Sequence, residues 1–194
     1  LNARTKYPYE EHCYALAHEV LRADPPSLAQ LHRFIIEMQQ DEDVEHALGP
    51  FISAGYQLLP EDEIVYDLDT PELSSLGMRL RNKLLIIDGA VGKWAGNNMI
   101  GSLVINGTAG EYAGAEMIGH LTYDASKMAP WEVEHFGLRM IGTLTESKTR
   151  TTHIRVGVYR SVPDRLLKRF RRDITNPDNV PYDDFYHRLL KRYI

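Results

Sequence analysis

The clearest periodicity in the chain lies between Leu84 and Gly119, where an aliphatic run, spaced glycines and a small-residue stretch occur twice in succession. LLIIDGAVGKWAGNNMIG (84–101) is followed directly by SLVINGTAGEYAGAEMIG (102–119). Leu85, Ile87, Gly89, Gly92, Ala95, Gly96, Met99, Ile100 and Gly101 all recur unchanged 18 positions later. The units open on the aliphatic runs LLII and, after Ser102, LVI, and turn at Gly89 or Gly107, which is strand and corner rather than helix. An 18-residue unit is too short and too glycine-rich for a helix pair. It suits one turn of a parallel β-helix, whose strands stack about 4.8 Å apart and whose equivalent positions form columns.

That reading makes Gly89, Gly92, Gly96 and Gly101, with their repeats Gly107, Gly110, Gly114 and Gly119, structural turn positions. They supply left-handed corners or let backbone pass close to backbone without a Cβ. It also predicts columns. Leu85, Leu103 and Leu121 stack inside, as do Met99 and Met117; Trp94 lies over Tyr112, and Lys93 over Glu111. In a third polar column Asn106 separates Asp88 from Asp124, relieving carboxylate repulsion.

On either side the pattern weakens. SSLGMRLRN (74–82) sets Leu76-Gly77 19 residues before Ala95-Gly96, a degenerate first coil preceded by a strand at EIVYDLDTPE (63–72). HLTYDAS (120–126) begins a third coil in register, after which the pattern dissolves. Residues 133–158 alternate only loosely, and THIRVGVYR (152–160) reads as a strand.

The flanks carry helical periodicity. Tyr9 to Leu21 is amphipathic, and Ser27 is an N-cap for Leu28–Gln40 with its stripe of Leu28, Leu31, Ile35 and Met38. A third helix starts at Asp41 or Asp43 and runs to about Ala47, where Gly49-Pro50 should break it. Helix returns at 163–174 and 183–194. The expected architecture is α+β: a helical segment over residues 1–62, a parallel β-helix over 63–160 and a helical extension over 161–194.

Composition narrows the chemistry. With 43% hydrophobic and 25% charged residues the chain is ordinary globular material. A net charge of −5 argues against general binding to nucleic acid or anionic membrane. No run reaches the roughly 18–20 apolar residues of a membrane span, and the opening LNARTKYPYEEH lacks a secretory core. Cys13 is the single cysteine, which excludes an intrachain disulfide and a Cys-built zinc site. A cytoplasmic protein without cofactor or metal is expected.

The unit of strand, Gly-x-x-Gly, x-x-Ala-Gly and x-x-Met-x-Gly, quoted above from Leu84 to about Ala125, resembles the GXGXG-motif family. That family comprises the C-terminal domain of the large subunit of glutamate synthase and one of the subunits of formylmethanofuran dehydrogenase. The resemblance implies a right-handed parallel β-helix serving as scaffold and interdomain spacer, with redox chemistry done by neighbouring domains. It therefore implies a noncatalytic scaffold or interaction module beside a protein partner; exposed coil ends, which invite strand-to-strand pairing, add the expectation of self-association.

Other readings attach to particular residues. A hexapeptide-type acyltransferase, a left-handed β-helix, also has 18-residue coils; stepping by six from Leu85 gives Val91, Asn97, Leu103, Ala109, Ala115 and Leu121, with Asn97 out of pattern. His120 would then be the general base. The turns Gly89–Gly92 and Gly107–Gly110 could cradle an anion, though neither leads into a helix. Asp88 and Asp124, two coils apart, could form the carboxylate pair of an inverting glycosidase. His12 and His18 are poorly spaced for a metal, His135 and His153 have no visible partner, and Cys13 reads as a buried inert thiol. Ten acids and no Lys or Arg lie between Glu37 and Asp69, while ten Lys or Arg face five Asp between Arg155 and Arg192. Each is a solvated face or one half of a charged docking surface.

Overall fold

The computed structural model describes residues 8–39, 41 and 45–156. The basic C-terminal stretch, its two expected helices and the end of the 152–160 strand lie outside the described residues. Three helices come first: α1 (Pro8–Leu21), α2 (Leu28–Met38) and α3 (Glu45–Leu58). Ser27 caps α2 as expected: its Oγ accepts the Gln30 N–H, and Gln30 Oε1 accepts the Ser27 N–H, a reciprocal capping box.

The end expected of α3 is overturned. Gly49-Pro50 does not break the helix, which continues to Leu58. Pro50 falls near the helix start, where its missing N–H forfeits a single bond to the His46 carbonyl. Gly49 serves packing: a Cβ there would overlap the Ser74 carbonyl oxygen.

The rest is a parallel β-solenoid. Long strands β1 (Glu63–Tyr66), β3 (Arg81–Ile87), β5 (Ile100–Ile105) and β7 (Ile118–Tyr123) alternate with short ones, β2 (Asp69–Thr70), β4 (Ala90–Val91) and β6 (Thr108–Ala109). A turn at Ala125–Lys127 and the short helix α4 (Pro130–Val133) precede β8 (Ile141–Glu146) and β9 (Thr151–Val156). The long strands form one sheet in the order β1-β3-β5-β7-β8-β9 and the short ones a second, β2-β4-β6. Pairing is parallel up to β8, and β9 folds back antiparallel on β8.

Register follows the repeat. Ile64, Leu85, Leu103, Leu121 and Leu144 lie side by side, so successive coils advance by 21, 18, 18 and 23 residues. The 19-residue spacing upstream is absorbed by a one-residue bulge between Arg81 and Lys83, where Asn82 takes φ +55°. The pattern expected to dissolve after Ala125 instead resumes. Gly137-Leu138-Arg139-Met140-Ile141-Gly142 repeats Gly114–Gly119 after five extra residues, which the Ala125–Lys127 turn and α4 accommodate.

Leu80, Met99, Met117 and Met140 stack in the interior with no exposed surface. Leu76, Ala95, Ala113 and Phe136 form a second column, and Phe136 meets Tyr123 edge to face at 5.4 Å. One hydrophobic core runs from Leu31, Ile35, Ile52 and Tyr56 of the helices through the coils to Leu144. The helices are thus part of the solenoid's core.

Candidate functional site

In each coil the segment before the next long strand makes an outward corner, and four corners lie in line: 73–80, 92–99, 110–117 and 133–140. Gly96 and Gly114 are left-handed there, but so are larger residues. Ser75, Trp94 and Tyr112 have φ of +61°, +65° and +67°; Arg79, Asn98, Glu116 and Arg139 have φ of +59°, +55°, +56° and +60°. Left-handed backbone costs a non-glycine residue about 1–2 kcal/mol, so something on this face offsets it.

The N–H groups of Ser75, Trp94, Arg79, Asn98 and Glu116 donate to the carbonyls of Lys93, Glu111, Asn97, Ala115 and Leu138 of the next coil, and two of the left-handed residues also stack. Trp94 lies over Tyr112 with ring centroids 4.2 Å apart and planes 7° from parallel; Tyr112 then meets His135 at 4.8 Å. Lys93 Nζ approaches Glu111 Oε2 at 3.4 Å, and Arg139 Nη1 reaches Glu116 Oε1 at 3.2 Å. Helix α1 extends both columns: Ser75 Oγ donates to Glu10 Oε1 at 3.2 Å, and Arg79 Nη2 donates to Glu11 Oε1 at 3.0 Å. Burial raises the Glu10 pKa, opposed by the Ser75 hydroxyl and by His46. Its second oxygen is buried without a protein partner. Exposed Trp131, on α4, flanks this corner, where its carbonyl meets His135 Nδ1 at 3.4 Å.

His120 sits elsewhere, on the outward side of β7 between Ser102 and Thr143. It is half-buried, its Nδ1 hydrogen-bonded to Thr143 Oγ1, and burial lowers its pKa. The ring is therefore neutral at neutral pH.

The carboxylate pair is engaged in the turns. Asp88 Oδ1 accepts from Asn106 Nδ2 at 2.9 Å. Asp124 Oδ1 accepts from the Ser126 hydroxyl and N–H and faces Lys148 Nζ at 3.6 Å, contacts that lower its pKa. A glycosidase acid needs a raised pKa, so Asp124 is not set to be the acid of such a pair.

The anion-cradle reading is corrected. The N–H groups of Gly89, Gly92, Gly107 and Gly110 donate to the carbonyls of Tyr66, Leu73, Ile87 and Val91. Those glycines are needed because coils touch: a Cβ on Gly107 would overlap the Gly89 carbonyl oxygen. Cys13 is partly exposed, not buried.

A polar cluster joining α2, α3 and β1 has no signature in the sequence. His32 Nε2 meets the Tyr56 hydroxyl at 3.0 Å, and its Nδ1 faces Asp67 Oδ1 at 4.0 Å. Burial lowers the His32 pKa, with Asp67 opposing. Burial also pushes Tyr66 up to about 12, while its hydrogen bond with Thr70 opposes the shift. No periodicity links residues so far apart on three different elements. A cavity of about 150 Å³ between Met38, Leu48, Thr70 and Leu73 is smaller than the roughly 300 Å³ of a small-molecule site.

Among the described residues no group of three or more His, Cys, Asp or Glu is placed to hold a metal ion, and no helix is long and apolar enough to cross a membrane. No family model, curated protein or solved structure matches the chain.

Proposed function

We propose that the chain is a noncatalytic scaffold or interaction module, comparable in role to the β-helix domain of glutamate synthase and working beside a separate redox partner. The observation that carries this reading is how side chains on the coil surface are used. Asp88 with Asn106, Lys93 with Glu111, Trp94 with Tyr112, Tyr112 with His135 and Glu116 with Arg139 each bind the equivalent residue one coil away. Groups committed to their neighbours make a stiff, regular surface, which is what a spacer or docking face requires. The GXGXG likeness of residues 84–125 supports the same role, and its right-handed coil is part of the proposal.

Affinity purification of the full chain from its native cells tests this. A co-purifying protein with flavin or iron–sulfur absorption is the expected result. Protein recovered alone and stabilised against heat by an acyl-CoA would instead establish the acyltransferase reading, with His120 as base.

A further inference from the structure

We propose that Asn106 is a self-modifying site that records opening of the coil between β5 and β6. In the closed coil its side-chain amide is kept intact. In the opened coil the amide is lost as ammonia, and the isoaspartyl chain that results no longer closes.

Asn106-Gly107 is the single Asn-Gly step in the sequence, and it forms the turn that joins β5 to β6. Glycine has no Cβ to obstruct its own nitrogen or to restrict rotation about the step, which leaves the preceding side-chain amide open to attack. In that reaction the Gly107 nitrogen gives its proton to a base in solvent and bonds to Asn106 Cγ. The Cγ–Nδ2 bond breaks and ammonia leaves, closing a cyclic imide. Water then opens the imide. Cleavage at Cγ leaves an aspartate, whereas cleavage at the backbone carbonyl carbon leaves an isoaspartate, whose main chain runs through Cβ and Cγ.

The closed coil holds off the first of these steps. Asn106 is exposed, but the Gly107 N–H donates to the Ile87 carbonyl at 2.9 Å, and the Asn106 N–H shares that oxygen at 2.8 Å. Thr108 N–H donates to the Gly89 carbonyl at 3.0 Å. With these successive amides tied to the previous coil, the peptide cannot turn the Gly107 nitrogen towards the side chain. Asn106 Nδ2 is itself held by Asp88 Oδ1 at 2.9 Å, and Lys127 Nζ binds the Asn106 carbonyl.

Neither product fits the place that Asn106 leaves. Asp67, Asp88, Asn106, Asp124 and Ser147 follow successive long strands in register, and Asn106 is the neutral residue between Asp88 and Asp124. An aspartate there loses the bond to Asp88 and sets like charges side by side. An isoaspartate also lengthens the main chain by about 1.5 Å. Gly107 has no room to take up that length, since a Cβ on it would stand 1.8 Å from the Gly89 carbonyl oxygen.

The test is to hold the full chain in mildly alkaline buffer, either folded or unfolded in guanidinium chloride, and to follow position 106 by peptide mass mapping. Conversion should be at least about tenfold slower in the folded chain, because it must wait for local opening. After removal of denaturant, chains separated with an aspartate at the site should refold, as should Asn106→Asp made directly, with a thermal midpoint below that of the wild type. Isoaspartyl chains should show no cooperative thermal transition. Equal rates in the two states, no conversion in the unfolded chain, or isoaspartyl chains that regain the wild-type midpoint would overturn the proposal.

Discussion

Ser53 Oγ accepts the backbone N–H of Gly77 at 2.8 Å, so that a helix side chain takes the place of a missing coil. In later coils the equivalent amides of Gly96, Gly114 and Gly137 donate to Leu76, Ala95 and Ala113 of the coil before. Four residues along the same helix face, Gln57 Oε1 accepts the Arg81 N–H at 2.7 Å. The amides of Ile100, Ile118 and Ile141, in equivalent places, donate to Leu80, Met99 and Met117. Helix α3 thus closes the open end of the ladder, which would otherwise expose unpaired donors.

Removing that cap should be costly. Ser53 is fully buried and also accepts from Met78 N–H, so Ser53→Ala leaves two donors without their partner. A loss of about 2–3 kcal/mol is expected in urea unfolding. Faster amide exchange at Gly77 and Met78, with the later coils still protected, would locate the damage. Unchanged exchange there would show that the cap carries no such weight.

Lys83 closes the other side of the junction. Its ammonium is buried and donates to the carbonyls of Leu59 and Glu61 at 2.8 and 2.6 Å, just past the end of α3. Lys83→Met should cost about 2–3 kcal/mol, the value of two charge-assisted bonds lost from a buried position. Equilibrium denaturation checks this, and Lys83→Arg should recover only part, because its forked head does not match two carbonyls reached by a point charge.

Two glycines should respond differently to the same change. Gly107→Ala drives a methyl into the Gly89 carbonyl, which is backbone and cannot yield, so at least about 3 kcal/mol is expected. Gly96→Ala places a methyl 2.6 Å from the end of the Leu103 side chain, which can move, at a left-handed φ of +68°. Its cost should be smaller, about 1–2 kcal/mol. Similar losses from thermal unfolding would contradict the distinction.

The aromatic stack should show as coupling. In a double-mutant cycle of Trp94→Ala and Tyr112→Ala, an interaction of about 0.5–1.5 kcal/mol is expected beyond the single losses. Additive effects would mean that each ring packs independently.

Acid should weaken the fold through His32. Its folded pKa lies below the ordinary value of 6.5, so between the two the unfolded chain binds more protons and stability rises with pH. The contribution is complete above the ordinary value and is lost as pH falls through it towards the folded one. His120 shifts in the same direction for the same reason. Thermal midpoints measured from pH 8 to about 5 should fall less in His32→Gln, and least in the double variant with His120→Gln. Parallel curves for wild type and variants would rule out both histidines as the cause.

The middle of the molecule is legible from residues alone. Trp94 over Tyr112, Lys93 over Glu111 and Asp88 beside Asn106 all follow from an 18-residue step, and all stand in contact. The fourth corner is present in the chain as well, in the likeness of Gly137–Gly142 to Gly114–Gly119, but five inserted residues hide it. The same insertion conceals the pairing of Tyr112 with His135.

Residues one coil apart must occupy the same place on successive floors, so stacking writes itself into the chain as a period, and a period is visible without coordinates. The ends of the stack obey no such rule. Ser53 and Gln57 under Gly77 and Arg81, Lys83 over the end of α3, His32 against Tyr56 and the fold-back of β9 each join segments whose spacing nothing repeats. Those pairings arise only when the core closes and brings unrelated stretches within reach, so the tertiary structure alone decided how the coil is capped.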